Sequence, residues 1–84
     1  MKYKQVQIVV ENYGEWVIRD DGEVYFSDEF SGAYWESAIG IFRDYDNETL
    51  YKDFVEVVKE DMETVLPFKT FKTLISDSFK AFEL

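Results

Sequence analysis

The sequence predicts an α+β domain in which a three-stranded antiparallel β-meander is followed by three α-helices packed on one sheet face, in the order βββααα. Two observations predict this fold. Over residues 5–27, apolar and polar residues alternate, which is the period of half-buried strands. From residue 30 onward, apolar residues recur every three or four positions, which is the period of amphipathic helices. The length of 84 residues predicts a single domain over 1–84.

Three short runs carry the strand pattern, and their apolar residues all fall at even positions: Val6, Ile8, Val10, Trp16, Ile18, Val24 and Phe26. A two-residue turn at Asp21–Gly22 would place the apolar residues of the second and third strands on opposite faces. A three-residue loop over 20–22, with Gly22 in the left-handed region, instead pairs Ile18 with Val24 and Trp16 with Phe26. We predict this loop because it places all four side chains on one face.

The other face of the predicted sheet is only half polar. The five residues 11–15 are predicted to form the first turn and to set Val10 opposite Trp16. The odd positions then form the second face, which includes Tyr3, Val9, Val17 and Tyr25. An apolar face of this kind is expected to self-associate or to be covered.

Three helices are predicted after the strands. The first has an apolar stripe at Phe30, Ala33, Tyr34, Ser37/Ala38, Ile41, Phe42 and Tyr45, with Asp28 or Ser31 as its cap. Trp35 lies off this stripe, and we predict that it extends the core, with an exposed anchor as the alternative. The second helix begins at 46–49 and runs to about Leu66, where Pro67 stops it. The third runs from about Lys69 to Phe82, with a strand over 68–75 as the alternative.

Composition excludes several classes of function. The chain has 18 acidic and 9 basic residues, a formal net charge of −9, and neither Cys nor His. The absence of Cys and His excludes the common zinc sites and the Cys–His and Ser–His nucleophile pairs. The charge argues against direct binding to nucleic acid or to an anionic membrane. We therefore predict a protein that is not an enzyme and that needs no cofactor or metal.

Local patterns also bear on metal binding and on targeting. The segment 44–48 begins like an EF-hand loop, but Thr49 and Val55 stand where that loop requires Gly and a bidentate Glu, so we predict no calcium site. No apolar run approaches the length of a transmembrane helix, and the N-terminus lacks a signal-type apolar core. The expected compartment is the cytoplasm, that of the host cell if the protein is phage-encoded.

The negative charge is concentrated in the middle of the chain. Residues 11–63 hold 16 acidic residues against four basic ones, a net charge of −12. The candidate partner-binding residues fall in three groups: the second hairpin tip, the junction between the first two helices, and one face of the second helix with spacings of three, four and three. They are Asp20, Asp21 and Glu23; Asp44, Asp46 and Glu48; and Asp53, Glu56, Glu60 and Glu63.

This charge distribution favours an inhibitory function. Carboxylates at helix spacing lie about 5–6 Å apart, which is comparable with the separation of neighbouring phosphates along a DNA strand. A surface of such carboxylates would fill a protein groove whose Lys and Arg contact DNA phosphates. The alternative is a solvated face that keeps the protein soluble. In size and charge the chain resembles the small acidic inhibitors made by phages, including anti-restriction proteins, uracil-glycosylase inhibitors and several anti-CRISPR proteins. These have unrelated folds, so the resemblance assigns no residues.

The resemblance implies a DNA mimic that blocks a nucleic-acid-binding protein. The expected partner is a basic nuclease or guide-RNA effector, with no direct contact to nucleic acid or membrane, and the protein itself is a monomer or homodimer. The alternative is a regulatory or assembly module, antitoxin-like or homodimeric, that binds a basic protein.

Overall fold

A computed structural model describes residues 4–36 and 46–82 of the chain. In chain order the described elements are β1 (Gln5–Val10), β2 (Gly14–Arg19), β3 (Glu23–Ser27), β4 (Gly32–Glu36), α1 (Asn47–Val58) and α2 (Phe68–Ala81). The strands form one antiparallel sheet in the order β1-β2-β3-β4. The α+β class is therefore right, but the predicted three strands and three helices are wrong: over the described ranges, four strands precede two helices.

The fourth strand replaces the start of the predicted first helix. β4 pairs with β3 so that Trp35 lies opposite Val24 and Ala33 lies opposite Phe26. Ala33 and Trp35 thus alternate with outward-facing residues, and Trp35 is only 2% exposed. The core position predicted for Trp35 is confirmed, but the residue reaches the core from a strand. In the predicted helix, its indole would have lain off the apolar stripe. The rest of the predicted helix, 37–45, lies outside the described residues.

Asp28 caps a turn where the sequence predicted a helix cap. Its carboxylate accepts hydrogen bonds from the N–H groups of Phe30 and Ser31, both at 2.8 Å, and from the Ser31 hydroxyl at 3.1 Å. These bonds close the connection between β3 and β4 as an Asx-type turn. Phe30 consequently lies on the turn, 89% exposed, and not in the core.

The register between β2 and β3 is confirmed. Ile18 lies opposite Val24, Trp16 lies opposite Phe26, and Gly22 has a φ of 99°. That positive φ is the left-handed conformation that the three-residue loop requires of its glycine.

The predicted five-residue first turn is wrong. β1 and β2 pair from Val10 opposite Gly14, so that Trp16 faces Ile8 and not Val10. Asn12, with a φ of 72°, takes the left-handed position, and the N–H of Tyr13 donates to the Val10 carbonyl at 3.0 Å. The register is shifted by two residues relative to the prediction. Because strands repeat every two residues, the shift leaves every side chain on its expected face.

Helix α1 begins as predicted but ends early. The Asp46 side chain accepts from the Thr49 N–H at 2.7 Å, an N-cap bond. The helix ends at Val58, not near Leu66, and the chain then turns back. This return buries Met62 and Leu66 against the same core, with 5% and 0% exposure, and the Tyr51 hydroxyl donates to the Leu66 carbonyl at 2.5 Å. A helix continued straight would have carried both residues past the sheet.

Helix α2 follows Pro67 as predicted, so the alternative of a strand over 68–75 is wrong. Its Phe71 packs against Phe54 of α1 at 5.0 Å between ring centroids, and both rings contact Trp16 of the sheet. The core therefore lies between the two helices and one sheet face, which we call the inner face. The opposite side is the outer face.

Candidate functional site

The outer face of the sheet is formed by three cross-strand rows. Read from β1 to β4, they are Val9–Glu15–Ser27–Gly32, Gln7–Val17–Tyr25–Tyr34 and Gln5–Arg19–Glu23–Glu36. In the third row, Arg19 and Glu23 are joined by an ion pair at 3.3 Å. Because side chains alternate across a strand, these residues point away from the helices.

Two tyrosines occupy the centre of the outer face. The rings of Tyr25 and Tyr34 lie opposite each other with centroids 4.6 Å apart, and Tyr34 is 66% exposed. The Tyr25 ring extends over Gly32, where a Cβ atom would lie 2.2 Å from the tyrosine oxygen. The missing side chain at Gly32 therefore makes room for the ring. Beside it, Val17 and Arg19 help to line a hollow of about 220 Å³.

Acidic residues border the tyrosines at the hairpin end of the sheet. Arg19 forms ion pairs with Asp21 and with Glu23. Glu23 also lies directly opposite Glu36 on β4. Like charges directly opposite each other weaken a sheet. We call Asp20, Asp21, Glu23 and Glu36 the acidic hairpin edge.

Among the described residues, one predicted group of acidic residues lies together in full, that of the hairpin tip. Asp20, Asp21 and Glu23 share the hairpin end, whose backbone is tied to β1 by a bond from the Asp20 N–H to the Lys4 carbonyl at 2.9 Å. From the junction group, Asp46 caps α1, Glu48 is exposed in its first turn, and Asp44 lies outside the described residues.

The predicted acidic stripe along the second helix is not continuous. Asp53 and Glu56 lie on α1, but Glu60 and Glu63 come after it has ended. Asp53 accepts from the Trp35 indole N–H at 2.7 Å, and Glu56 pairs with Lys59 at 2.9 Å. Both helical carboxylates therefore have partners within the chain, and the spacing that suggested phosphate mimicry on a helix is broken by the turn after Val58.

Comparison with protein families matches residues 1–84 to a family described as a domain of unknown function, DUF7200. The chain belongs to the DUF7200 family. Comparisons with curated proteins and with solved structures found no match. The function of this DUF7200 protein is therefore argued from its surface.

Two residues of the outer face were not predicted from the sequence. Tyr34 and Glu36 were assigned to a helix, and only β4 places them on the outer face. The alternation of Ala33 and Trp35 with Tyr34 and Glu36 is the signal that could have found them, since it has the period of a strand.

Among the residues that the structure describes, no group of three acidic side chains is arranged to hold a metal ion. Neither described helix is long and apolar enough to cross a membrane.

Proposed function

We propose that this DUF7200 protein is a small acidic, non-enzymatic inhibitor that occupies the nucleic-acid-binding surface of a basic protein such as a nuclease. The observation that carries the proposal is the outer face, where the exposed Tyr34 and the half-buried Tyr25 are bordered by the acidic hairpin edge. Tyrosine is enriched in protein interfaces. Carboxylates offer the paired oxygen acceptors that arginine binds most strongly.

The sheet supplies closely spaced carboxylates that the broken helical stripe does not. Glu23 and Glu36 are direct neighbours across two strands, where Cα atoms lie about 4.5–5.5 Å apart. Their mutual repulsion weakens the sheet, and Arg19 offsets part of it through its ion pair with Glu23 at 3.3 Å. A basic partner that binds both carboxylates would relieve this repulsion, which is what a surface selected for binding is expected to show.

The net charge supports the same kind of partner. At −9, the protein is attracted over several ångströms to a cleft lined with Lys and Arg, and such steering accelerates association at low salt. Proteins that grip DNA bind its phosphates with these same residues. Since an intracellular nuclease meets DNA in the cytoplasm, we place the proposed action there.

A competition experiment tests the proposal. A labelled DNA duplex is bound to candidate nucleases, the protein is titrated in at low and moderate salt, and displacement is followed by fluorescence anisotropy. The test variant carries Asp20→Lys and Glu36→Lys. The matched control carries Asp61→Lys and Asp77→Lys, two exposed residues that follow α1 and lie on α2. Both variants change the net charge by the same amount.

We expect the hairpin-edge variant to displace DNA about tenfold less well, which corresponds to about 1.4 kcal/mol of binding free energy. The control should stay close to the wild type. Equal losses in both variants would show that only net charge matters and that the outer face is not the site. Failure of the wild type to displace DNA from any basic nuclease would refute the inhibitory function.

A regulatory or assembly module is the second candidate, and one observation favours it. Val9 and Tyr34 are large apolar side chains that are 78% and 66% exposed on the outer face. If these side chains hold a protein partner, Tyr34→Ala should abolish its binding. The double variant with Asp20→Lys and Glu36→Lys should leave that binding unchanged. Binding with that profile and without DNA displacement would favour the module over the inhibitor.

A further inference from the structure

Among the described strands, β1 lies at an edge of the sheet, and the direction of its backbone groups can be assigned. The Lys4 carbonyl accepts from the Asp20 N–H at 2.9 Å, and the Val10 carbonyl accepts from the Tyr13 N–H at 3.0 Å. In an antiparallel pair, every second residue directs its N–H and C=O toward the partner strand. The even residues of β1 therefore bond toward β2, whereas Gln5, Gln7 and Val9 direct their backbone groups away from the sheet.

Over residues 4–36 and 46–82, this edge has little of the protection that edge strands usually carry. Proteins shield edge strands with charges, proline, bulges or covering elements. β1 has the sequence QVQIVV, without a charge, proline or glycine, whereas β2, β3 and β4 each carry at least one charged residue. A helix packs against each edge strand, but α1 packs against β4 more extensively than α2 packs against β1.

Among the described residues, the inner face of β1 is less deeply buried than that of β2. On the inner face, Trp16 and Ile18 of the neighbouring strand are fully buried. Val6 and Ile8 point to the same side but are only partly buried against the core. A further strand beside β1 would cover both side chains and extend the core across the edge.

We propose that β1 pairs with β1 of a second copy of this chain, antiparallel and centred on Gln7, to form an eight-stranded sheet. In this register Gln7 faces Gln7 and Gln5 faces Val9, so all three outward-directed residues of each copy are hydrogen bonded. Val6 faces Ile8, which joins the partly buried edges of the two cores. Odd residues pair only with odd residues, so both helix layers lie on the same side.

Charge decides along which strand two copies of this chain can meet, because two chains of −9 repel each other elsewhere. Each chain carries −9, and β1 is the strand along which two copies can meet without opposing carboxylates. In the proposed register Lys4 of one copy lies opposite Val10 of the other, and therefore next to its Glu11. The two-fold axis repeats this contact, so the edge is self-complementary. This interface does not depend on the proposed inhibition.

Cysteine cross-linking tests both the interface and its register, and the native chain contains no Cys to interfere. Residues that face each other in a hydrogen-bonded antiparallel pair have Cα atoms about 5.5 Å apart, within the range that a disulfide spans. We expect Gln7→Cys to form a disulfide-linked dimer under mild oxidation. Val17→Cys, one strand inward in the same row, is the matched control and should remain monomeric. Gln5→Cys should cross-link to Val9→Cys in a mixture of the two variants but not to itself.

Sedimentation of the unmodified chain over a wide range of concentrations provides the second measurement. We expect a reversible dimer that Gln7→Pro converts to a monomer, because proline removes an outward N–H and is tolerated where that group does not serve the sheet. Gln7→Lys is the alternative if the proline variant does not fold. In the dimer, this substitution would place two lysines opposite each other on the two-fold axis, where they repel. Within each chain, the lysine could still pair with Glu15, which in the native chain accepts from the Gln7 amide at 2.6 Å.

Three results would overturn the proposal. The first is a wild-type monomer at every concentration. The second is a dimer that survives both Gln7→Pro and Gln7→Lys. The third is cross-linking of Val17→Cys as efficient as that of Gln7→Cys.

Discussion

At the scale of single residues, the aromatic core depends on a few polar contacts. The indole N–H of Trp16 donates to the Ser78 hydroxyl at 3.1 Å, and that hydroxyl donates to the Leu74 carbonyl at 2.6 Å. Ser78 and Trp16 are both fully buried. A buried N–H that loses its acceptor pays its full desolvation cost, so this serine is a structural residue and not an incidental polar group.

Removal of the Ser78 hydroxyl is the corresponding prediction. Ser78→Ala should lower the free energy of unfolding by about 1–3 kcal/mol, because the Trp16 N–H is left without an acceptor. Urea denaturation followed by tryptophan fluorescence measures the change. Ser76→Ala, at an exposed position on the same helix, is the control and should have little effect. Equal losses from the two substitutions would mean that helix propensity, and not the buried bond, explains the result.

At the scale of elements, two aspartates stabilise the points where the chain changes structure. Asp28 closes the turn between β3 and β4, and Asp46 caps the start of α1. The N–H groups of Phe30 and Ser31 lower the pKa of Asp28 below its usual value of 3.8, and the N–H of Thr49 does the same to the pKa of Asp46. Folding therefore favours the charged form of each carboxylate. The resulting stabilisation is fully present above the unfolded-state pKa and is lost as the pH falls through the lower, folded-state pKa.

Acid titration of capping variants tests this reasoning. Asp46→Asn should leave the melting temperature at neutral pH nearly unchanged, since an asparagine oxygen can accept the same bond from Thr49. It should also make the loss of stability below about pH 4 less steep. Asp46→Ala should lower the melting temperature at neutral pH as well, because it removes the cap. An unchanged acid slope in Asp46→Asn would show that this carboxylate does not contribute to acid unfolding.

At the scale of the whole molecule, a net charge of −9 on 84 residues produces self-repulsion in the compact state. We expect the melting temperature to rise between about 10 mM and about 300 mM NaCl, since salt screens this repulsion. The variant with Asp61→Lys and Asp77→Lys has a net charge of −5, because each reversal adds two charges, and it should show a smaller rise. A fall with salt, or equal rises, would mean that specific ion pairs outweigh the general repulsion.

The predictable part of the fold was local. Period-two alternation and Gly22 predict the faces of the first three strands and the β2–β3 register. Asp46 predicts the start of α1, and Pro67 predicts that of α2. These signals act over a few residues, through turn conformation, capping and side-chain alternation, so they can be read without knowledge of distant partners.

The candidate site was predictable only in part, for the same reason. The hairpin tip with Asp20, Asp21 and Glu23 follows from a local turn. The residues that complete the outer face, Tyr34 and Glu36, depend on β4. Their surroundings in the sequence fit a helix as well as a strand, because Phe30, Ala33 and Tyr34 also have helical spacing. The open edge of β3 decides between the two, because pairing there buries Trp35.

By itself, the sequence determined an acidic α+β chain with one apolar sheet face, an acidic hairpin and two correctly placed helix starts. Only the tertiary structure decided that 32–36 form a strand, that α1 ends at Val58, and that the outer face joins two tyrosines to Glu23 and Glu36. The physical reason is the range of the forces involved. Turns and caps are satisfied by near neighbours, whereas burial of Trp35, Met62 and Leu66 requires surfaces contributed by distant parts of the chain.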